Sequence, residues 1–168
     1  IASMKVRIVR PESLSSEDVD AWERIRREDA RYRSPYYTYD FAHLMSLCRP
    51  DARIVAATGG DLPGPVFIPM QTSWSGLARP LGAPFCDSSG PILTRGAEAV
   101  LPEILRRAGV AAYRYSGVVD PDHAYARFRR ESVETYFADL DVDFADYLES
   151  RRAAYPKHFK KARRLSRQ

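Results

Sequence analysis

Residues 5–10 alternate, with Val6 and Ile8 facing one way and Lys5, Arg7 and Val9 the other. That period of two predicts a strand, and Pro11 ends it. The period then lengthens. Ser15 or Ser16 offers an N-cap, and Glu17 and Asp18 fall in a first turn where the helix dipole favours acids. Val19, Trp22 and Ile25 recur at helical spacing, which predicts a helix over 17–30. Ser34-Pro35 opens an aromatic cluster, and from Tyr39 the spacing of Phe41, Leu44, Met45 and Cys48 predicts a second helix, stopped before Pro50.

The middle of the chain reads as strands. Residues 53–58 (RIVAAT) form a short apolar run closed by Gly59-Gly60-Asp61. Val66-Phe67-Ile68 and then residues 70–74 follow, a pair that reads as a hairpin in which Pro69 demotes part of the second run to an edge or bulge. Residues 75–95 are dense in Gly and Pro. There Leu77, Leu81 and Phe85 predict one short irregular strand, and Ile92-Leu93 another. Over 97–108, Val100, Leu101, Ile104 and Leu105 share a helical face, with Arg106 and Arg107 in the last turn and Gly109 as the stop.

Residues 111–119 (AAYRYSGVV) and 132–140 (SVETYFADL) predict two more strands, with one or two helical turns between them over 123–130. Asp143 then caps a terminal helical region. Pro156 has no N–H and clashes with a preceding turn, so this region divides into a helix over 144–155 and a second with Pro156 at its first position. On the second, Phe159, Ala162 and Leu165 make one narrow apolar stripe, and Lys157, Lys160, Lys161, Arg164 and Arg167 cover the remainder. The order β-α-α-β-β-(β)-α-β-α-β-α is that of a mixed α/β protein.

Charge sharpens this picture at one end. The 168 residues carry 26 basic and 22 acidic side chains, but residues 151–168 hold eight Lys or Arg and no Asp or Glu. Residues 1–150 are left with 18 basic and 22 acidic groups, net −4, so the formal +4 belongs to the tail. The asymmetry opens three readings: a solvated helix face, an anion site through Lys160, Lys161, Arg163 and Arg164, or a nucleic-acid arm. The last is the weakest, because a mildly acidic body repels a duplex and no recognition motif accompanies the basic run. No apolar run approaches the roughly 20 residues that span a bilayer. Residues 1–10 lack the apolar core of a signal peptide, and the three residues ahead of Met4 read as a cloning remnant. Cys48 and Cys86 show no redox or metal spacing and are expected to be ordinary half-buried thiols in a reducing compartment, the cytoplasm by default.

Candidate chemistry is sparse. His43, His123 and His158 lie far apart and give no metal spacing, and no Ser-His-Asp or Cys-His pairing is signalled. Asp87-Ser88-Ser89-Gly90 is the best polar cluster. It either orients an acceptor amine or hydroxyl or makes a side-chain-capped turn. Tyr36 and Tyr37, with Tyr39, either face a cleft or pad the junction between the two helices.

Three stretches carry a family resemblance: Ser34-Pro35-Tyr36, the run Pro84-Phe85-Cys86-Asp87 leading to Gly90-Pro91-Ile92, and the terminal FADYLESRRAAYPKHFKKARRL. Together with the order of elements, they resemble the N-terminal half of the CelD/BcsL-type acetyltransferases, tandem members of the GNAT superfamily implicated in bacterial cellulose and exopolysaccharide synthesis. Fem-type aminoacyl and peptidyl transferases share the tandem layout.

The resemblance implies a GNAT-like mixed central sheet flanked by helices over residues 4–142. It also implies a basic helical connector over 143–168 leading toward a second GNAT half. It implies acetyl transfer from acetyl-CoA to a sugar or polysaccharide-linked acceptor; in that case the polar cluster and the tyrosines, Tyr36, Tyr37, Asp87, Ser88 and Ser89, are the candidates for the acceptor side, and Asp87 is the candidate for catalysis. A working GNAT domain holds the CoA pyrophosphate on backbone N–H groups of a Gly-rich loop at a helix N-terminus. The nearest candidate, residues 75–82 (SGLARPLG), has the wrong spacing and precedes Pro84 rather than a helix. The cofactor is therefore expected in the second half, and this chain is expected to be a fragment inactive alone. The competing expectation is a non-catalytic basic module that binds nucleic acid or another anion.

Overall fold

A computed structural model describes residues 3–134 and 141–165. The chain divides into two compact units, Ile1–Arg129 and Arg130–Gln168. The first is mixed α/β. It contains strands β1 (Lys5–Val9), β2 (Ala52–Thr58), β3 (Val66–Thr72), β4 (Leu77–Pro80), β5 (Ile92–Leu93) and β6 (Ala112–Tyr113), and helices α1 (Ser16–Glu28), α2 (Tyr39–Cys48) and α3 (Leu101–Arg107). The sheet runs β1-β2-β3-β4-β6, with β5 also paired to β3. Every pairing is antiparallel except the last, where β6 returns through α3 to lie parallel to β4.

Both faces of the sheet are buried, and the period-two pattern assigns its side chains. Ile54 and Ala56 of β2 and Phe67 of β3 pack with Trp22 and Ile25 of α1 and Ala42 of α2. Val55 and Ala57 of β2 and Val66, Ile68 and Met70 of β3 pack with Leu101 and Ile104 on the α3 side. The alternation expected in β1 follows the same division, because Val9 joins the first cluster and Val6 the second.

Local signals set the helix ends. Ser15 caps α1 in a reciprocal capping box, its side chain accepting from the Asp18 N–H while Asp18 accepts from the Ser15 N–H. Thr38 caps α2 by accepting from the Phe41 N–H. The helix expected over 97–108 starts instead as a 3-10 turn, Ala97–Val100, because Gly96 enters it left-handed and Pro102 sits at the second position of α3.

Three strand expectations need correction. β3 is a central strand rather than the edge of a hairpin. Pro69 is tolerated because the strand's outer neighbour changes there: Val66 and Phe67 pair with β5, while residues 70–72 pair with β4. The Pro69 carbonyl accepts from the Tyr113 hydroxyl at 3.3 Å, on the side away from β2. In an antiparallel strand the nitrogen faces the same way, so the ladder with β2 loses no donor.

The strand expected over 111–119 is reduced to Ala112–Tyr113. Gly117 adopts φ +70°, and Ser89 takes the carbonyls of Ser116 and Gly117, so this run is held by a loop rather than by a ladder. The short strand read through Leu77, Leu81 and Phe85 stops at Pro80, with Leu81 buried and Phe85 85% exposed. Of the strand expected over 132–140, residues 132–134 carry no regular structure and the rest lies outside the described residues.

The second unit contains α4 (Phe144–Ala154) and α5 (Pro156–Leu165). Asp143 caps α4 by accepting from the Ala145 N–H, and Pro156 opens α5. Among the described residues, no helix is long and apolar enough to cross a membrane.

Candidate functional site

The loop over 81–91 interrupts the outer edge of the sheet between β4 and β5, and three groups of contacts hold it. From the helical side, Tyr37 is buried and its hydroxyl donates to the Ser89 carbonyl at 3.0 Å. The Tyr37 carbonyl in turn accepts from the Trp22 indole at 2.8 Å. Burial pushes the Tyr37 phenol well above its ordinary range, so it stays a neutral donor.

From the sheet, buried Gln71 accepts from the Gly82 N–H at 3.3 Å and donates to Asp51 at 3.1 Å. Asp51 also takes two 3.1 Å bonds from the Arg49 guanidinium. That fork, with Gln71 adding to it, holds the Asp51 carboxyl down to about 2 against partial burial. From the segment after β6, the Gly117 carbonyl accepts from the Ser89 N–H at 3.3 Å, and the Ser116 carbonyl accepts from the Ser89 hydroxyl.

The expected acceptor residues are thus sorted by what they touch. Tyr37 and Ser89 meet, and their polar groups bond one another or the backbone. Tyr36 is half-buried, its ring edge-on to Phe41 at 5.3 Å, and Phe41 packs beside Gly82 in the same loop. Ser88 is half-buried and Asp87 exposed. Among the described residues the Asp87 carboxylate meets no hydrogen-bond donor. Its backbone is tightly placed, because a Cβ on Gly117 would lie 2.1 Å from the Asp87 carbonyl oxygen. Next to it, burial and then the nearby Asp87 charge push the Cys86 thiol up, away from a thiolate nucleophile.

Sequence reasoning missed Tyr113, Gln71 and a buried ionic cluster. Tyr113 fills the break in the sheet at Pro69. Its only sequence signal is the alternation Tyr113-Arg114-Tyr115 in a run read as plain strand. The ionic cluster joins the turn after α1 to the turn before α3. Arg31, 5% exposed, donates to Asp29 through Nε and to Glu98 through Nη1, both at 2.9 Å. The second Glu98 oxygen accepts from the Gly96 N–H at 2.7 Å. Glu98 therefore places an internal anion at the strand-to-helix turn, on the backbone donor that an external anion would need.

Lys160, Lys161, Arg163 and Arg164 lie on α5, all on exposed positions. Nothing in that helix is fully buried. Phe159 is half-covered, with the Arg152 guanidinium 5.7 Å from its ring centre, and Leu165 is 55% exposed. Of the histidines, His43 stacks on Tyr39 and His158 on Tyr155. His123 sits at positive φ within 3.3 Å of Arg129. No group of three His, Cys, Asp or Glu among the described residues could hold a metal ion.

Compared with known proteins, the chain matches no family model, no curated protein and no solved structure.

Proposed function

We propose that this chain is the first half of a tandem GNAT-type acyltransferase, one that moves an acetyl group from acetyl-CoA to a sugar or polysaccharide-linked acceptor in cellulose or exopolysaccharide synthesis. The observation that carries the reading is topological. The resemblance implies two helices after the first strand, a hairpin and then a crossover helix; this chain has two helices after β1, antiparallel β2-β3-β4 and a crossover through α3 to β6. That order gathers the Asp87 loop, Tyr36 and Tyr113 around the interrupted edge of the sheet. Direct acyl transfer needs a base for the acceptor and a donor for the oxyanion rather than a nucleophile. Asp87 is the candidate for the first role, exposed and, among the described residues, without a hydrogen-bond donor.

The division of labour follows from Glu98. A pyrophosphate arriving at the Gly96 turn has to displace a carboxylate that is itself held by buried Arg31. In this proposal acetyl-CoA binds mainly in the second half, and the first half forms one wall of the acceptor cleft.

The test is release of CoA thiol from acetyl-CoA with neutral oligosaccharide acceptors, run on this chain alone and on the polypeptide that includes a second half. Transfer is expected only from the longer protein. Micromolar acetyl-CoA binding to this chain alone, measured by calorimetry, overturns the division between halves. A two-half protein that binds acetyl-CoA but transfers to no sugar overturns the acceptor assignment.

A further inference from the structure

Helix α5 combines two features that a merely solvated helix does not need together. Phe159, Ala162 and Leu165 recur every third residue as one apolar stripe, in which Phe159 is half-covered and Ala162 and Leu165 are exposed. Lys157, Lys160 and Arg164 cover the opposite side, and α5 has no acidic residue to offset them. Lys161 stands at one border of the stripe, where a long side chain lies along an apolar surface and keeps its charge in water. An apolar face that narrow is too small to hold a core. A dense cationic face with low mean hydropathy and a segregated stripe is the composition of a helix that lies in an interface plane.

We propose that α5 docks on an anionic lipid surface, with Phe159 and Leu165 entering the headgroup boundary and Lys157, Lys160, Lys161 and Arg164 meeting acidic headgroups. Charge complementarity selects an anionic partner, and the stripe selects lipid over nucleic acid. A phosphate backbone rewards the cations but offers a leucine nothing. Tyr155 and Phe144, both exposed in the same unit, add aromatic groups of the kind that settle at a membrane boundary. The inference does not depend on acyl transfer, and it concerns association with a surface rather than a span.

The test is flotation of the whole chain with phosphatidylcholine vesicles, with and without phosphatidylglycerol, at low and high salt. The chain is expected to float with the anionic vesicles and not with the neutral ones. A basic residue near an anionic surface is worth about fivefold in partition, so K160Q/K161Q/R164Q should weaken binding about a hundredfold. Glutamine keeps the helix propensity of these exposed positions, so that loss reads charge rather than unfolding.

The decisive variant is F159S/L165S, expected to weaken vesicle binding at least tenfold while leaving retention of random RNA unchanged. Leu165→Ser alone, at the exposed last residue of the helix, should show the same direction and guards against a folding defect in the pair. Three outcomes overturn the proposal: no flotation with anionic vesicles, flotation indifferent to the stripe variants, or random RNA that strips the chain from the vesicles.

Discussion

Arg31→Met tests whether the buried ionic cluster ties the two helical layers of the first unit together. Arg31 serves Asp29 and Glu98 at once, and Glu98 is 6% exposed. Removing the cation leaves Asp29 the backbone N–H of residue 31 and a second guanidinium, Arg95, 3.4 Å away, whereas Glu98 keeps backbone N–H donors and, among the described residues, no cation. Breaking a buried pair from one side costs about 3–5 kcal/mol, and the surviving Arg95 contact puts this case near the lower end. At about 2–4 °C per kcal/mol for a domain of this size, the melting temperature should fall by roughly 10 °C.

The pH dependence carries a sign. Burial pushes the Asp29 and Glu98 carboxyls up, and the Arg31 hydrogen bonds more than offset it, so both lie below their ordinary values. Their contribution is therefore full above the unfolded values near about 4 and is lost as pH falls through the folded ones. In the variant, Glu98 is buried without a cation and gains by protonating. The stability gap between wild type and Arg31→Met should narrow on acidification. Replacing both partners, Arg31→Met with Glu98→Leu, should recover most of the loss, because no charge is then stranded. Calorimetry and urea unfolding at neutral and acid pH decide the matter. A cost under about 1 kcal/mol at neutral pH, or a gap that widens in acid, refutes the reasoning.

Two further substitutions probe the 81–91 loop. Gly117→Ala forces a side chain onto φ +70° and into the Asp87 carbonyl, and should cost about 3 kcal/mol or more in urea unfolding. Asp87→Ala removes an exposed carboxylate that meets no donor among the described residues, so stability should change by no more than about 0.5 kcal/mol, while on the proposed function acetyl transfer by the longer protein falls sharply. A large loss of stability there instead assigns Asp87 to the turn.

The parts of the fold legible in the sequence are those written locally. Ser15 with Asp18 starts α1, the residues before Pro50 end α2, and Pro156 divides α4 from α5, each within a residue or two of its expected place. What was misread depends on neighbours distant in sequence. Pro69 argued for an edge, and only the change of partner from β5 to β4 explains how a central strand accepts it. Residues 114–119 alternate well enough for a strand, yet Ser89, far earlier in the chain, takes their carbonyls.

The candidate site divides in the same way. Asp87-Ser88-Ser89-Gly90 stood out as a polar cluster, but its pattern does not say which members face inward. Ser89 and Gly90 are buried, and Gly90 has no room for a Cβ beside Val118. Tyr113 and Gln71 were invisible as polar groups because each lies in a run whose apolar neighbours dominate.

Both special openings in the first unit are closed by its own side chains. The break in the sheet at Pro69 is met by the Tyr113 hydroxyl, and the turn into α3 by the Glu98 carboxylate. Each is a donor–acceptor match made inside the chain, so a ligand entering either place has to offer a better partner than the one it displaces. At Gly96 that competition is steep, because moving Glu98 also strips buried Arg31 of one of its two carboxylates. At the interrupted edge the Asp87 carboxylate is exposed and, among the described residues, meets no donor. On the proposed reading, a first half closed at these two places by its own side chains serves as one wall of a cleft and leaves the cofactor to be held elsewhere.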